Sequence, residues 1–120
     1  MDYKFINMEY LDSVAAGDPE IINEIVTIFK EQSVEIHKEM ESLLVEKDYT
    51  SLGLLAHKAK SSVAIMGMAE TAQMLKTFEL QAKEGKDIQL YKSYIEKFKD
   101  DTTEAVKELE DLINNRIKGN

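Results

Sequence analysis

The chain has 120 residues, 43% of them apolar and 32% charged, and a formal net charge of −8. That length suits one domain over residues 1–120 with one modest hydrophobic core, and is too short to add a second lobe for a nucleotide or large cofactor. The acidic balance argues against a nucleic-acid binder and against attachment to anionic lipid, and the absence of cysteine excludes disulfides, thiolate chemistry and cysteine-ligated zinc.

The N-terminus, Met1-Asp2-Tyr3-Lys4-Phe5, lacks the basic-then-apolar layout of a secretory signal. No apolar run approaches the ~20 residues of a membrane span, so the cytoplasm is the expected compartment. A chain that starts at Met1 and carries no linker is expected to be a free-standing protein. Tyr3-Lys4-Phe5-Ile6 shows a brief strand-like alternation. Met8 to Ala16 then predicts a short amphipathic helix closed by Gly17.

Asp18-Pro19-Glu20 is a helix start: Asp18 can cap free N–H groups, and proline in the first turn gives up no useful donor. Ile22, Ile25, Phe29, Ile36, Met40 and Leu43 follow at the spacing of a buried stripe, which predicts a long helix to about Glu46. Asp48 is positioned to cap the next helix, with Leu52, Leu55, Ala59, Ser62 and Met66 inward and Gly67 as its stop. Another helix is expected from Ala69, with Ala72, Leu75, Phe78 and Ala82 inward and Gly85 as its end. Asp87 is expected to cap the last one, which carries Ile88, Tyr91, Ile95, Phe98, Thr102, Ala105, Leu109 and Leu112. Short connections make sequential helices antiparallel neighbours. The expected fold is all-α: an up-down-up-down four-helix bundle with the short N-terminal helix covering one end.

His57 lies in Leu55-Ala56-His57-Lys58-Ala59-Lys60-Ser61-Ser62. A helix turns about 100° per residue, which puts His57 opposite its helix's apolar stripe and facing solvent. Ala64 nearly shares that direction, and Gly53 and Ser61 flank it. Glycine inside a helix costs about 1 kcal/mol against alanine, and access offers a reason for Gly53: small neighbours leave the imidazole clear for a partner's rigid site. Lys60 lies one turn on, where its ammonium can reach an anion attached to the ring, such as a phosphoryl group. His37, among bulky charged neighbours, is expected at the surface without a role. Two histidines and no inward Glu-x-x-His motif leave no ligand set for a metal site in the bundle core.

These residues resemble the signature of the histidine-containing phosphotransfer (HPt) domain of multistep phosphorelays. That family carries an alanine–histidine pair, any residue, then leucine, lysine, glycine and serine, and a glycine further on. Ala56, His57, Lys60, Ser62 and Gly67 match; Leu75, the Phe78-Glu79 pair and Gly85 match the following helix. Ala59 departs from the usual leucine and Ser61 from the usual glycine. The motif covers about residues 52–85, and the helix layout extends the resemblance along the chain.

The resemblance implies that His57 accepts a phosphoryl group from a receiver-domain aspartyl phosphate and passes it to another receiver aspartate, in either direction. It implies that Lys60 balances phosphoryl charge, that Glu79 accepts the imidazole Nδ1–H bond, and that Ser61 lies near the phosphoryl group. The partners implied are response-regulator receivers, with a hybrid sensor kinase as a further candidate, and the chain itself is expected to be a monomer. It needs no cofactor of its own, because Mg²⁺ belongs to the receiver. Gly53, Leu54, Ala64, Ile65 and Met68 would form the receiver-docking surface.

The chain is thus expected to be a phosphocarrier. It has no G-x-x-x-x-G-K-[ST] loop for ATP, so kinase activity is not expected. The dimerisation helices of sensor kinases have an acidic residue after their histidine and a proline soon after it; here Lys58 follows His57 and the one proline is Pro19. The remaining alternative is a non-catalytic helical adaptor that binds a partner through Leu54, Ile65 and Met68.

Overall fold

A computed structural model describes residues 4–7, 9, 13 and 18–118. Four long helices follow one another: α1 (Pro19–Glu46), α2 (Tyr49–Ile65), α3 (Ala69–Glu84) and α4 (Tyr91–Lys118), with a 3₁₀ turn at Ile88–Leu90 leading into α4. Each helix packs on its neighbours in chain order and α4 closes back on α1, so the molecule is an up-down-up-down four-helix bundle of 50 × 20 × 20 Å. The predicted Met8–Ala16 helix lies outside the described residues, save for Glu9 and Ser13, which are helical.

Local chemistry sets most of the boundaries. The Asp18 side chain accepts from the Glu20 N–H at 2.9 Å, and Asp48 accepts from the Ser51 N–H at 3.1 Å, which satisfies donors that the first helical turn leaves free. Gly67 and Gly85 adopt φ of +74° and +65° after α2 and α3, a conformation that costs glycine little. At Gly67 a side chain is also barred by contact, because a Cβ there would lie 2.6 Å from Asn7 Cβ.

The start of α4 differs from expectation. Asp87 is itself left-handed, at φ 55°, and its side chain caps nothing; its carbonyl accepts the Leu90 N–H at 2.9 Å, which makes the 3₁₀ turn. The α-helix therefore begins at Tyr91, and Ile88, expected inward, is 40% exposed.

The core runs through all four helices: Ile22, Phe29 and Met40 from α1, Leu52, Ala59 and Val63 from α2, Leu75 and Phe78 from α3, and Tyr91, Phe98 and Leu109 from α4. Burying a large apolar side chain contributes about 1.5–3 kcal/mol relative to leaving it in water. Two polar ties reinforce the packing. Buried Asp101 on α4 accepts from Thr71 Oγ1 on α3 at 2.9 Å and pairs with Lys97 at 3.1 Å. The Glu108 carboxylate accepts from the backbone N–H groups of Lys4, Phe5 and Ile6 at 3.1, 2.9 and 3.2 Å. Over Lys4–Ile6 the strand-like alternation is thus a bend strapped to α4, with Ile6 in the core.

Candidate functional site

His57 sits near the middle of α2 and Glu79 on the facing stretch of α3. The pairing is possible because these two helices form the most closely associated pair in the bundle. Gly53 explains how. A Cβ at Gly53 would lie 3.4 Å from the Glu79 carbonyl oxygen and the Lys83 nitrogen, and 3.2 Å from Lys83 Cγ. The glycine lets the α3 backbone and the Lys83 stem come against α2. Gly53 is therefore buried at the α2–α3 seam, which corrects its expected place on the exposed docking surface. The sequence projection measured only the angle to the main stripe, whereas in a bundle α2 is covered by a neighbour on that side as well.

Met68 needs the same correction. It is only 2% exposed and belongs to the core. The chain turns through Gly67, so the α2 helical projection no longer applies at Met68. Leu54 and Ile65, 61% and 46% exposed, do lie at the surface, and so does Ala64. His37 is also less open than expected: its side chain is 14% exposed, with Nδ1 3.4 Å from Glu41 Oε1, in the groove between α1 and α4.

The His57 side chain is 56% exposed, and its Nδ1 lies 3.1 Å from each carboxylate oxygen of Glu79. Glu79 itself is nearly buried, with 7% of its side chain exposed. It also accepts from Lys83 Nζ at 2.8 Å, and Lys60 Nζ lies 3.6 Å from its other oxygen. The Lys83 hydrogen bond holds the Glu79 carboxyl well below its ordinary 4.5, at about 2; burial opposes that shift, and the hydrogen bond and charge of His57 add to it. Glu79 is thus an anion across the physiological range.

An ionised carboxylate has no proton to give, so His57 Nδ1–H must be the donor. The neutral ring then carries its lone pair on Nε2, the nucleophilic nitrogen of that tautomer. Ser61 Oγ donates to the His57 carbonyl oxygen at 3.3 Å, so its proton is engaged by backbone. Among the described residues, no three His, Asp or Glu side chains converge to hold a metal ion, and no helix is long and apolar enough to cross a membrane.

Of the site residues expected from sequence, the structure brings together His57, Lys60 and Glu79, with Ser61 beside them. Lys83 was missed. Its signal was present as Glu79 and Lys83 at i and i+4, the favourable order for such a pair on a helix.

No curated protein and no solved structure matches the chain. A family model described as the Hpt domain matches residues 24–113, a span that runs from α1 into α4 and includes the whole His57–Glu79 pairing. This chain belongs to the Hpt domain family, whose members act in phosphorelay signal transduction through receiver-domain proteins.

Proposed function

We propose that the protein is a phosphocarrier in which His57 accepts a phosphoryl group from a receiver aspartyl phosphate and relays it to the aspartate of another receiver. The observation that carries this reading is a half-exposed imidazole whose Nδ1 is held by a buried, ionised carboxylate.

In the forward step the Nε2 lone pair attacks phosphorus. The Nε2–P bond forms as the P–O bond to the aspartate breaks, and the receiver's carboxylate leaves with that electron pair. The Nδ1 proton stays in place. The ring becomes an N-phosphorylated imidazolium whose positive charge faces Glu79, and onward transfer reverses these events on the next aspartate. Phosphoryl transfer is mostly positioning and charge stabilisation, and the residues divide those tasks. Glu79 fixes the ring's tautomer, Lys60 offsets charge on the phosphoryl oxygens, and Ser61 keeps the approach small. The receiver brings Mg²⁺. Leu54, Ala64 and Ile65 offer it an apolar landing beside the histidine, as the centres of interfaces commonly do. A hybrid sensor kinase bearing such a receiver is the expected upstream partner, in a cytoplasmic relay with this chain as a monomer.

The test is to mix the protein with receivers of its own organism, each phosphorylated beforehand by a small phosphodonor. At least one receiver is expected to lose phosphate to this chain, in a form labile to acid and stable to alkali. No transfer from any of them would overturn the reading.

A further inference from the structure

The Glu79 carboxylate faces three potential cations. From α2 come His57 and Lys60, and from α3 itself comes Lys83, whose ammonium makes the shortest of the three contacts at 2.8 Å. A carboxylate beside an imidazole ordinarily does two things at once: it orients the ring, and it favours the protonated ring. For a phosphoryl acceptor the first effect is needed and the second is harmful, because an imidazolium has no lone pair with which to attack. Lys83 lies where it can separate the two. Its stem lies against Gly53, 3.2 Å from where a Cβ would be, so it is seated by the same glycine that brings α2 and α3 together.

We propose that Lys83 is a positioning residue for phosphoryl transfer: its ammonium counterbalances Glu79, so that the carboxylate orients the His57 ring without drawing a second proton onto it. With Lys60 and Lys83 charged, Glu79 ionised and His57 neutral, the cluster carries a net charge of plus one. Remove Lys83 and the carboxylate's charge is shared between His57 and Lys60 alone. The ring is then expected to favour its second proton more than in the native protein, which withdraws the Nε2 lone pair from attack. This rests on the phosphocarrier reading for its consequence, but not for its physical test.

The test is a pH titration of the histidine ring nitrogens by NMR in the whole protein, with His37 as the internal reference. Lys83→Met keeps the aliphatic stem against Gly53 and removes the charge; Lys83→Arg keeps the charge. The His57 midpoint is expected to rise by roughly 0.5 pH or more in Lys83→Met, the size of one partly exposed ion pair, while His37 stays put. It is expected to return towards wild type in Lys83→Arg. In a Glu79→Gln background the same Lys83→Met change is expected to move the midpoint by clearly less, because only direct repulsion between the ammonium and the ring remains. The acid limb of the transfer rate should follow the midpoint, slowing acceptance about threefold on that limb. An unmoved midpoint in Lys83→Met, an equal shift in Lys83→Arg, or an undiminished shift without Glu79 would overturn the proposal. Absence of transfer to wild type would instead overturn the phosphocarrier reading and leave the titration result standing.

Discussion

Replacing His57 with glutamine is expected to leave the fold and partner binding intact and to reduce phosphoryl acceptance to background. The ring is more than half exposed, so its loss opens no cavity, and Lys83 and Lys60 still face the Glu79 carboxylate, so the change in stability is expected to be small. Glutamine roughly preserves the reach and the hydrogen-bonding edge towards Glu79. It lacks a nitrogen lone pair that can take phosphorus, since the amide nitrogen's pair is delocalised into the carbonyl. A receiver-transfer assay and a thermal melt on the same sample check both halves. The substitution also separates the two readings of the exposed apolar residues. An adaptor using Leu54 and Ile65 would bind its partner unchanged and show no phosphoryl transfer in either protein; a phosphocarrier would bind in both and transfer only in wild type. Equal transfer to the His57→Gln protein would move the acceptor elsewhere.

The largest effect on stability is expected at Phe78. Its side chain is fully buried at the α3–α4 contact, with ring centroids 5.3 Å from Tyr91 and 5.2 Å from Tyr94. Phe78→Ala removes the ring from a packed core that can collapse only in part, at a cost of about 3–5 kcal/mol. A domain of this kind has a total stability of about 5–15 kcal/mol, so urea unfolding should show the midpoint fall sharply. Phe78 also immediately precedes Glu79 in α3. A loss below about 1 kcal/mol would mean that α3 is held chiefly by something other than this aromatic contact.

The helices could be read from sequence because their ends carry local chemistry. Asp18-Pro19, Asp48 and Gly85 act within a turn of where they stand, and the structure uses each of them as a boundary. Asp87 misled because an aspartate that suits a cap also tolerates the left-handed conformation; the structure uses the second property, not the first. His57 could be placed because one helix and its core stripe are enough to say which residue points away. Gly53 and Met68 could not be placed in that way. Gly53 is defined by a second helix whose approach no single helical projection contains, and Met68 by a turn after which the projection no longer holds. Lys83 shows a further limit. Its i, i+4 spacing from Glu79 was visible, but most such pairs are exposed and worth little. What makes this pair matter is the burial of Glu79 and the histidine on its other side, and both depend on how α2 meets α3.

On this account His57 Nε2 carries the phosphoryl group while its Nδ1–H goes on donating to Glu79. Combined phosphorus and nitrogen NMR of the ¹⁵N-labelled protein, phosphorylated by its receiver, tests both parts together. The expected spectrum has one phosphoramidate, at His57 Nε2, with the Nδ1 proton retained against Glu79. Phosphate on Nδ1 of His57, on His37, or on an oxygen would contradict it.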